Sequence, residues 1–172
     1  KTNQKLKLGT YGFIKGARQF VVGQIIPSST AMLDYGFLLE ELIIELTQMQ
    51  LGTCWLGGTF DRSEFSKAVN LQKGWVIPAI TPVGFPTKSR SLGESIIRAG
   101  AGSRKRKNWE EMFFAGDSKE PVVSDQLEGK SQWLEMLRLA PSASNNQPWR
   151  ILVYPDKFQL YLSRKPGYKK MF

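Results

Sequence analysis

Residues 140–149 read A-P-S-A-S-N-N-Q-P-W and lie between a helix-like run at 133–139 and a strand-like run at 151–154. Pro141 and Pro148 fix φ and remove two backbone donors, so neither a helix nor a central strand can continue through the segment. The serine, asparagine and glutamine side chains between them donate and accept hydrogen bonds without net charge. These residues fit either a capped turn between a helix and a strand or a contact surface for a flat heterocycle with polar edges.

The pattern A-P-S-x-x-N-x-Q-P-W resembles the signature of the FMN-dependent nitroreductase family. The matching residues are Pro141, Ser142, Asn145, Gln147, Pro148 and Trp149. In that family the loop packs against the flavin across a subunit interface. The resemblance therefore implies that the FMN contacts in this segment come from Pro141, Ser142, Ser144, Asn145 and Gln147.

A long helix and a glycine-bearing turn form the second feature. Apolar residues recur every three or four positions between 33 and 51, which predicts an amphipathic helix, with Gly52 as its C-cap. The local pattern of residues 52–60 by itself fits a tight turn into the next element. The resemblance implies that Leu56, Gly57 and Gly58 present backbone N–H groups to the pyrimidine edge and N5 of the flavin, because backbone without a Cβ can approach a planar ring.

Positive charge is concentrated at residues 104–107, R-K-R-K, ahead of W-E-E at 109–111. From charge alone, this run fits a solvated loop or a weak nucleic-acid patch. The order resembles the Lys-x-Arg that holds the FMN phosphate in nitroreductases, with arginine at the first position. The resemblance implies that Arg104 and Arg106 are the phosphate ligands, and Lys88 with Arg90 is a second Lys-x-Arg that competes for the role.

The remaining segments favour a mixed fold. Residues 18–26 and 75–85 are rich in strand formers, and the two prolines of the second run place it at a sheet edge or near a bulge. Capping-box spacing predicts helices starting near residues 62 and 92, and runs at 150–154 and 158–163 predict a hairpin. With the resemblance, these patterns predict an α+β, nitroreductase-like fold in which helices flank a central, mostly antiparallel sheet, with a long central helix.

Composition narrows the possible functions. The chain has 172 residues, 41% of them hydrophobic, which suits one packed domain. It contains no histidine and one cysteine, Cys54, which excludes a His-dependent triad, an intrachain disulfide and a Cys or His metal cluster. Cys54 has apolar neighbours and is predicted to be buried. The net charge of +9 fits nucleic acid, a membrane surface or an anionic cofactor.

The sequence shows neither a targeting pattern nor a membrane span. Glu40, Glu41 and Glu45 interrupt its most apolar region, and so many charges do not fit a bilayer crossing. We therefore expect a cytoplasmic protein.

The order of the motifs is reversed relative to an ordinary nitroreductase. Residues 1–117 resemble the late part of the family pattern and residues 118–172 the early part, and residues 117–121 have a linker-like composition. This order resembles the subgroup in which two halves are fused in one chain. We expect a single domain over residues 1–172, incomplete at its ends, that forms a monomeric pseudo-dimer or a homodimer. The early Arg-Ser-x-Arg segment of the family lies outside these residues, or cofactor binding is weaker without it.

The resemblance implies an FMN-dependent oxidoreductase that passes hydride from NAD(P)H, through flavin N5, to a nitroaromatic, a quinone or a similar acceptor. No catalytic side chain and no metal are expected, because the flavin carries the chemistry. Two alternatives remain: a flavin-binding protein without turnover, and a basic protein that binds nucleic acid through its aromatic residues. We expect neither nucleic acid nor membrane as a partner, since most aromatic residues fall at core spacings.

Overall fold

The computed structural model describes residues 9–10, 14, 16–86, 102, 105–124, 127 and 129–164. The chain packs as two compact units, Lys1–Ser91 and Leu92–Phe172. The predicted helix near residue 92 lies outside the described residues, and so do Lys88 and Arg90. The single domain, with its two family-pattern parts at 1–117 and 118–172, stays a prediction, because compact units record packing and not sequence pattern.

Two helices and a three-stranded sheet form the described part of the first unit. Its elements are β1 (Gln19–Val22), α1 (Ser29–Gln48), β2 (Gly52–Thr53), α2 (Arg62–Ala68) and β3 (Ile80–Gly84). β3 lies between β1 and β2 and is antiparallel to both. The predicted strand at 18–26 is shorter than expected, because after β1 the chain pairs again only at the Ile25–Val76 bridge. The core of this unit is a cluster of Leu56, Phe60, Phe65, Ile77 and Ile80.

Both ends of α1 are capped, but the second cap is not the predicted one. At the start, the Ser28 hydroxyl accepts a hydrogen bond from the Ala31 N–H (3.0 Å) and so caps the helix. At the end, Gln50 takes the left-handed conformation (φ 62°). Its N–H and that of Leu51 donate to carbonyls in the last turn of the helix (2.9 Å each). This is a Schellman motif, so Gln50 replaces Gly52 as the left-handed residue and Gly52 joins β2.

The proline-containing strand lies at the centre of its sheet, so the predicted edge position is wrong. Pro82 faces Phe20 of β1 on one side. On the other side, the register places Pro82 opposite Cys54, where an antiparallel ladder needs a donor that proline lacks. The Cys54 N–H donates to Oγ1 of the buried Thr81 (3.0 Å), and that hydroxyl donates to the Pro82 carbonyl (3.1 Å). A break in the ladder thus accommodates Pro82, and Cys54, which lies at that break, is exposed rather than buried.

Tyr35 ties α1 to the sheet. Its hydroxyl donates to the Ala79 carbonyl (2.5 Å) and accepts a hydrogen bond from the Gly23 N–H (3.3 Å). Burial raises the pKa of Tyr35, and the hydrogen bond from Gly23 partly opposes that rise. A Cβ added at Gly23 would overlap the Tyr35 ring, so this contact requires a glycine.

A mixed sheet and a helix form the described part of the second unit. The described elements are β4 (Phe113–Ala115), α3 (Ser131–Leu139), β5 (Trp149–Val153) and β6 (Phe158–Leu162), with a 3-10 turn at Trp109–Glu111. β5 pairs with β4 in parallel and with β6 as the predicted antiparallel hairpin. Residues 117–121 belong to a turn that returns to β4 through the Phe114–Pro121 bridge, so they are not a linker. The core cluster consists of Met112, Phe113, Val122, Leu127, Leu134, Ile151 and Val153.

The α+β fold class is confirmed, and three of the four strand pairings are antiparallel. In the described ranges, the strands form two three-stranded sheets. No helix in those ranges has both the length and the apolar character that crossing a bilayer requires. The cytoplasmic location stays a prediction.

We expect Gly23→Ala to lower the free energy of unfolding by roughly 1–3 kcal/mol, because the new methyl group displaces the Tyr35 ring from its hydrogen bonds. Gly36→Ala is the matched control, since a Cβ there meets nothing within 4 Å and the residue lies inside α1. That control should raise stability by up to about 1 kcal/mol. Urea unfolding measures both, and equal effects would contradict the role of Tyr35.

Candidate functional site

The A-P-S-A-S-N-N-Q-P-W loop follows α3 and is built around a 3-10 turn, Ala143–Asn145. Ser144, Asn145 and Gln147 all have left-handed backbone, with φ of 50°, 50° and 45°. For residues other than glycine, that backbone conformation is unfavourable by roughly 1 kcal/mol or more of free energy. The Ser142 hydroxyl accepts a hydrogen bond from the Gln147 N–H (2.9 Å), which helps to hold the turn. The loop backbone is therefore strained locally and stabilised by its own side chains.

Gln147 connects the loop to the basic segment, residues 102–107, of which the structure describes residues 102 and 105–107. Its side chain is only 4% exposed. The amide nitrogen donates to the Lys105 carbonyl and to Oδ1 of Asn145 (3.3 Å each). The amide oxygen accepts a hydrogen bond from the Lys107 N–H (2.8 Å). The oxygen of this buried amide is thus bound to the Lys107 backbone, and its nitrogen is bound to the Lys105 backbone and to the Asn145 side chain.

Asn145 makes a second connection to the same segment. Its amide nitrogen donates to the carbonyls of Gly102 (2.7 Å) and Lys105 (2.9 Å). Its Oδ1 lies 3.4 Å from Nη1 of Arg106. The loop motif and the basic run, which are separated in sequence, are therefore in direct contact.

Arg106 lies beside the C-terminus of α3. Its Nε and Nη2 both donate to the Leu139 carbonyl (3.2 and 3.0 Å), and its Nη1 also donates to the Lys105 carbonyl (3.0 Å). Leu139 is the last residue of α3. The last carbonyls of a helix lack partners within it, so Arg106 supplies one of the missing donors.

A second arginine, Arg138, also binds the backbone of the basic segment. Arg138 Nη1 donates to the Lys107 carbonyl (3.2 Å), while its Nε and Nη2 bind both carboxylate oxygens of Glu135 (2.6 Å each). The hydrogen bond from Arg138 lowers the pKa of Glu135, and the same contact raises the pKa of Arg138. Glu135 therefore stays ionised at neutral pH and orients the guanidinium.

The other predicted residues of the second unit have less prominent contacts. Pro141 and Ser144 are exposed. Arg104 lies outside the described residues, so its predicted role as a phosphate ligand stays a prediction. Trp149 packs against the core, and its buried Nε1 has no hydrogen-bond partner in the part of the chain that the structure describes.

The glycine turn belongs to the first unit. Leu56 is 4% exposed, and both its N–H and its carbonyl bond Ile80 (2.9 Å each). Its N–H is therefore already used within the protein. A Cβ built at Gly57 or Gly58 would meet nothing within 4 Å, so protein packing does not require glycine at either position. In the described residues, no hydrogen bond to protein involves either N–H, which leaves both N–H groups open to a ligand.

Sequence reasoning missed Lys105, Lys107, Arg138 and Leu139. The first two were passed over because the Lys-x-Arg resemblance assigns roles to alternate positions, 104 and 106. Leu139 takes part only through its carbonyl, which no side-chain pattern reveals. Arg138 had a usable signal, since a basic residue in the last turn of a helix favours interaction with nearby carbonyls.

Comparisons with known proteins found one family model and solved structures that are similar to this chain. The family model described as "Putative TM nitroreductase" matches residues 1–165. The crystal structure of a "putative nitroreductase" from Thermotoga maritima MSB8 has a TM-score of 0.57 and 22% identity, over 84% of this chain and 53% of that one. A nitroreductase family protein from Clostridium novyi NT gives a TM-score of 0.37 and 20% identity, over 42% and 44%. The chain spans about half the length of these solved structures, and no curated protein matches it.

Gln147→Ala should lower the free energy of unfolding by about 1–3 kcal/mol, because it leaves the Lys107 N–H without its acceptor. Asn146→Ala is the control, since the Asn146 amide bonds only the nearby Ala143 carbonyl, within the loop. Its effect should be about 0.5 kcal/mol or less. Denaturant unfolding gives the energies, and hydrogen exchange should show faster exchange of the Lys107 amide in Gln147→Ala alone. Unchanged protection of that amide would contradict the contact.

Proposed function

Because this chain belongs to the nitroreductase family, whose model matches residues 1–165, we propose that it is an FMN-dependent oxidoreductase. Membership supports an oxidoreductase in general, and the identity of the cofactor and the donor is the proposal. The observation that carries it is the contact between the motif loop and the basic segment, in which Asn145 and Gln147 bind backbone of residues 102–107. Two motifs that the family uses for one cofactor are thus in direct contact within the second unit, which supports the proposal.

The residues present suit FMN chemically. The phosphate needs cations, and the basic segment carries three consecutive positive charges, Lys105, Arg106 and Lys107. The ring needs donors at its pyrimidine edge and room for a close approach. Gly57 and Gly58 offer backbone N–H groups beside open space.

The chemistry that FMN supplies in such a site is hydride transfer from NAD(P)H, through flavin N5, to a nitroaromatic, a quinone or a similar acceptor. The protein has three tasks, two in the second unit and one in the first. In the second unit, the basic segment would bind and orient the phosphate, and the motif loop fixes that segment. In the first unit, the glycine turn would offer N–H groups to the negative charge of a flavin ring. None of these tasks requires a side chain that transfers a proton, which suits a chain without histidine.

The surface of α1 supports a further protein partner, either a second copy in a homodimer or more of the same chain in a pseudo-dimer. Of its 20 residues, only Leu39 is buried. Large apolar side chains remain exposed along it: Met32 at 45%, Leu33 at 64%, Phe37 at 69%, Leu38 at 60% and Ile44 at 52%. Contiguous exposed apolar surface of this kind marks an association site more often than a solvated one.

The visible spectrum of the purified protein with FMN tests the proposed function. We expect bands of bound flavin that bleach when NAD(P)H is added without oxygen and return when a nitroaromatic or a quinone follows. The control is free FMN under the same conditions. Bound flavin that does not bleach would favour a flavin-binding protein without turnover. Failure to bind flavin would contradict both.

Gly57→Ala and Gly58→Ala should weaken FMN binding by about tenfold or more, because a methyl group would occupy the space through which the ring approaches backbone. Both should leave the stability of the flavin-free protein within about 0.5 kcal/mol of wild type, since neither Cβ meets protein atoms. Gly36→Ala again serves as the control and should bind FMN as wild type does. Fluorescence quenching of FMN measures the affinity, and unchanged binding in both variants would remove the turn from the site.

A further inference from the structure

The contacts of the basic segment divide its cations into two kinds. A guanidinium has five N–H groups. Four of those in Arg106 are used on the Leu139 carbonyl, the Lys105 carbonyl and Oδ1 of Asn145. To bind a phosphate with its fork, Arg106 would have to give up these contacts and leave the end of α3 uncapped.

The two lysines are arranged differently, because their backbone is held and their ammonium groups are not. The Lys105 carbonyl receives three hydrogen bonds, from Arg106 (3.0 Å), Asn145 (2.9 Å) and Gln147 (3.3 Å). Both backbone groups of Lys107 are also bound, to Gln147 and Arg138. In the described part of the chain, neither ammonium makes an ion pair, and the Lys105 side chain is exposed.

A fixed backbone with an uncommitted ammonium is a preorganised anion site. The backbone that carries each ammonium is fixed before the ligand arrives, so binding costs mainly the ordering of the lysine side chain. An ammonium is also a compact cation that binds phosphate from several directions, whereas a guanidinium suits a planar, two-point contact.

We propose that Lys105 and Lys107 are the residues that bind the phosphate monoester of the cofactor, and that Arg106 is a positioning residue that acts through them. This departs from the Lys-x-Arg resemblance, which gives the role to Arg104 and Arg106. The identity of the monoester as FMN rests on the proposed function. The division of roles among Lys105, Arg106 and Lys107 rests only on the contacts of these three residues.

The test compares FMN with riboflavin, which differ only by the phosphate. The ratio of their dissociation constants, riboflavin over FMN, therefore reports the contribution of the phosphate alone. The full chain is used as wild type, K105A/K107A, R106A and the triple variant. Lys73→Ala controls for lost charge, because Lys73 is exposed and lies in the other compact unit.

We expect the ratio to fall at least about tenfold in K105A/K107A, with a melting temperature close to that of wild type. R106A should melt roughly 4 °C or more lower, since it loses the cap of α3. Its ratio should also fall, but adding R106A to the lysine-free variant should change the ratio less than about twofold. A residue that touches phosphate itself would lower the ratio equally in both backgrounds.

Two results would overturn the proposal: an unchanged ratio in K105A/K107A, or an equal effect of R106A with and without the lysines. If wild type binds neither flavin, the proposed function fails, and the same variants are then compared with inorganic phosphate as the probe. A phosphate-dependent rise in melting temperature that the lysine variant loses would uphold the anion site without FMN. The absence of such a rise in wild type would overturn it as well.

Discussion

The buried amide of Gln147 is the interaction on which the candidate site of the second unit depends. It must accept a hydrogen bond from the Lys107 N–H and donate to the Lys105 carbonyl at the same time. A carboxylate could not donate, and an ammonium could not accept. Only an amide of this length satisfies both backbone groups. Its partners help to offset the left-handed backbone of Gln147, so loop and basic segment stabilise each other.

This coupling offsets the strain of a loop that contains three left-handed residues. Each such residue by itself favours another backbone geometry. The hydrogen bonds of Asn145 and Gln147 form only when the loop and residues 102–107 are both in place, so the gain is shared between the two segments. Strain maintained in this way by surrounding contacts is common at functional sites.

Local signals predicted those elements whose stability is local. Ser28 and Asp61 cap α1 and α2 with their own side chains, and the β5–β6 hairpin connects neighbours in sequence. Two of the wrong predictions, the Gly52 C-cap and the edge strand, depend on contacts that form only in the folded protein. Gln50 can take the left-handed position because the Schellman hydrogen bonds offset its strain. Pro82 can occupy a central strand because the ladder is broken beside it, where the Thr81 hydroxyl joins the Cys54 N–H to the Pro82 carbonyl. Neither compensation can be read from the residues next to Gln50 or Pro82.

For the candidate site, the sequence likewise predicted where the segments lie in the chain but not which contacts their side chains make. The sequence pattern located the loop and the basic run, because the identity and spacing of their residues carry the resemblance. It could not show that Asn145 and Gln147 bind backbone 40 residues away, since an amide satisfies a protein carbonyl as readily as a ligand. The sequence pattern also does not show how arginine and lysine differ in the hydrogen bonds that they can make with the protein. A planar fork with five donors can cap Leu139 and reach Asn145 together, whereas an ammonium cannot span both. The geometry of each cation therefore determines which one the fold can use for itself and which one it leaves for a ligand.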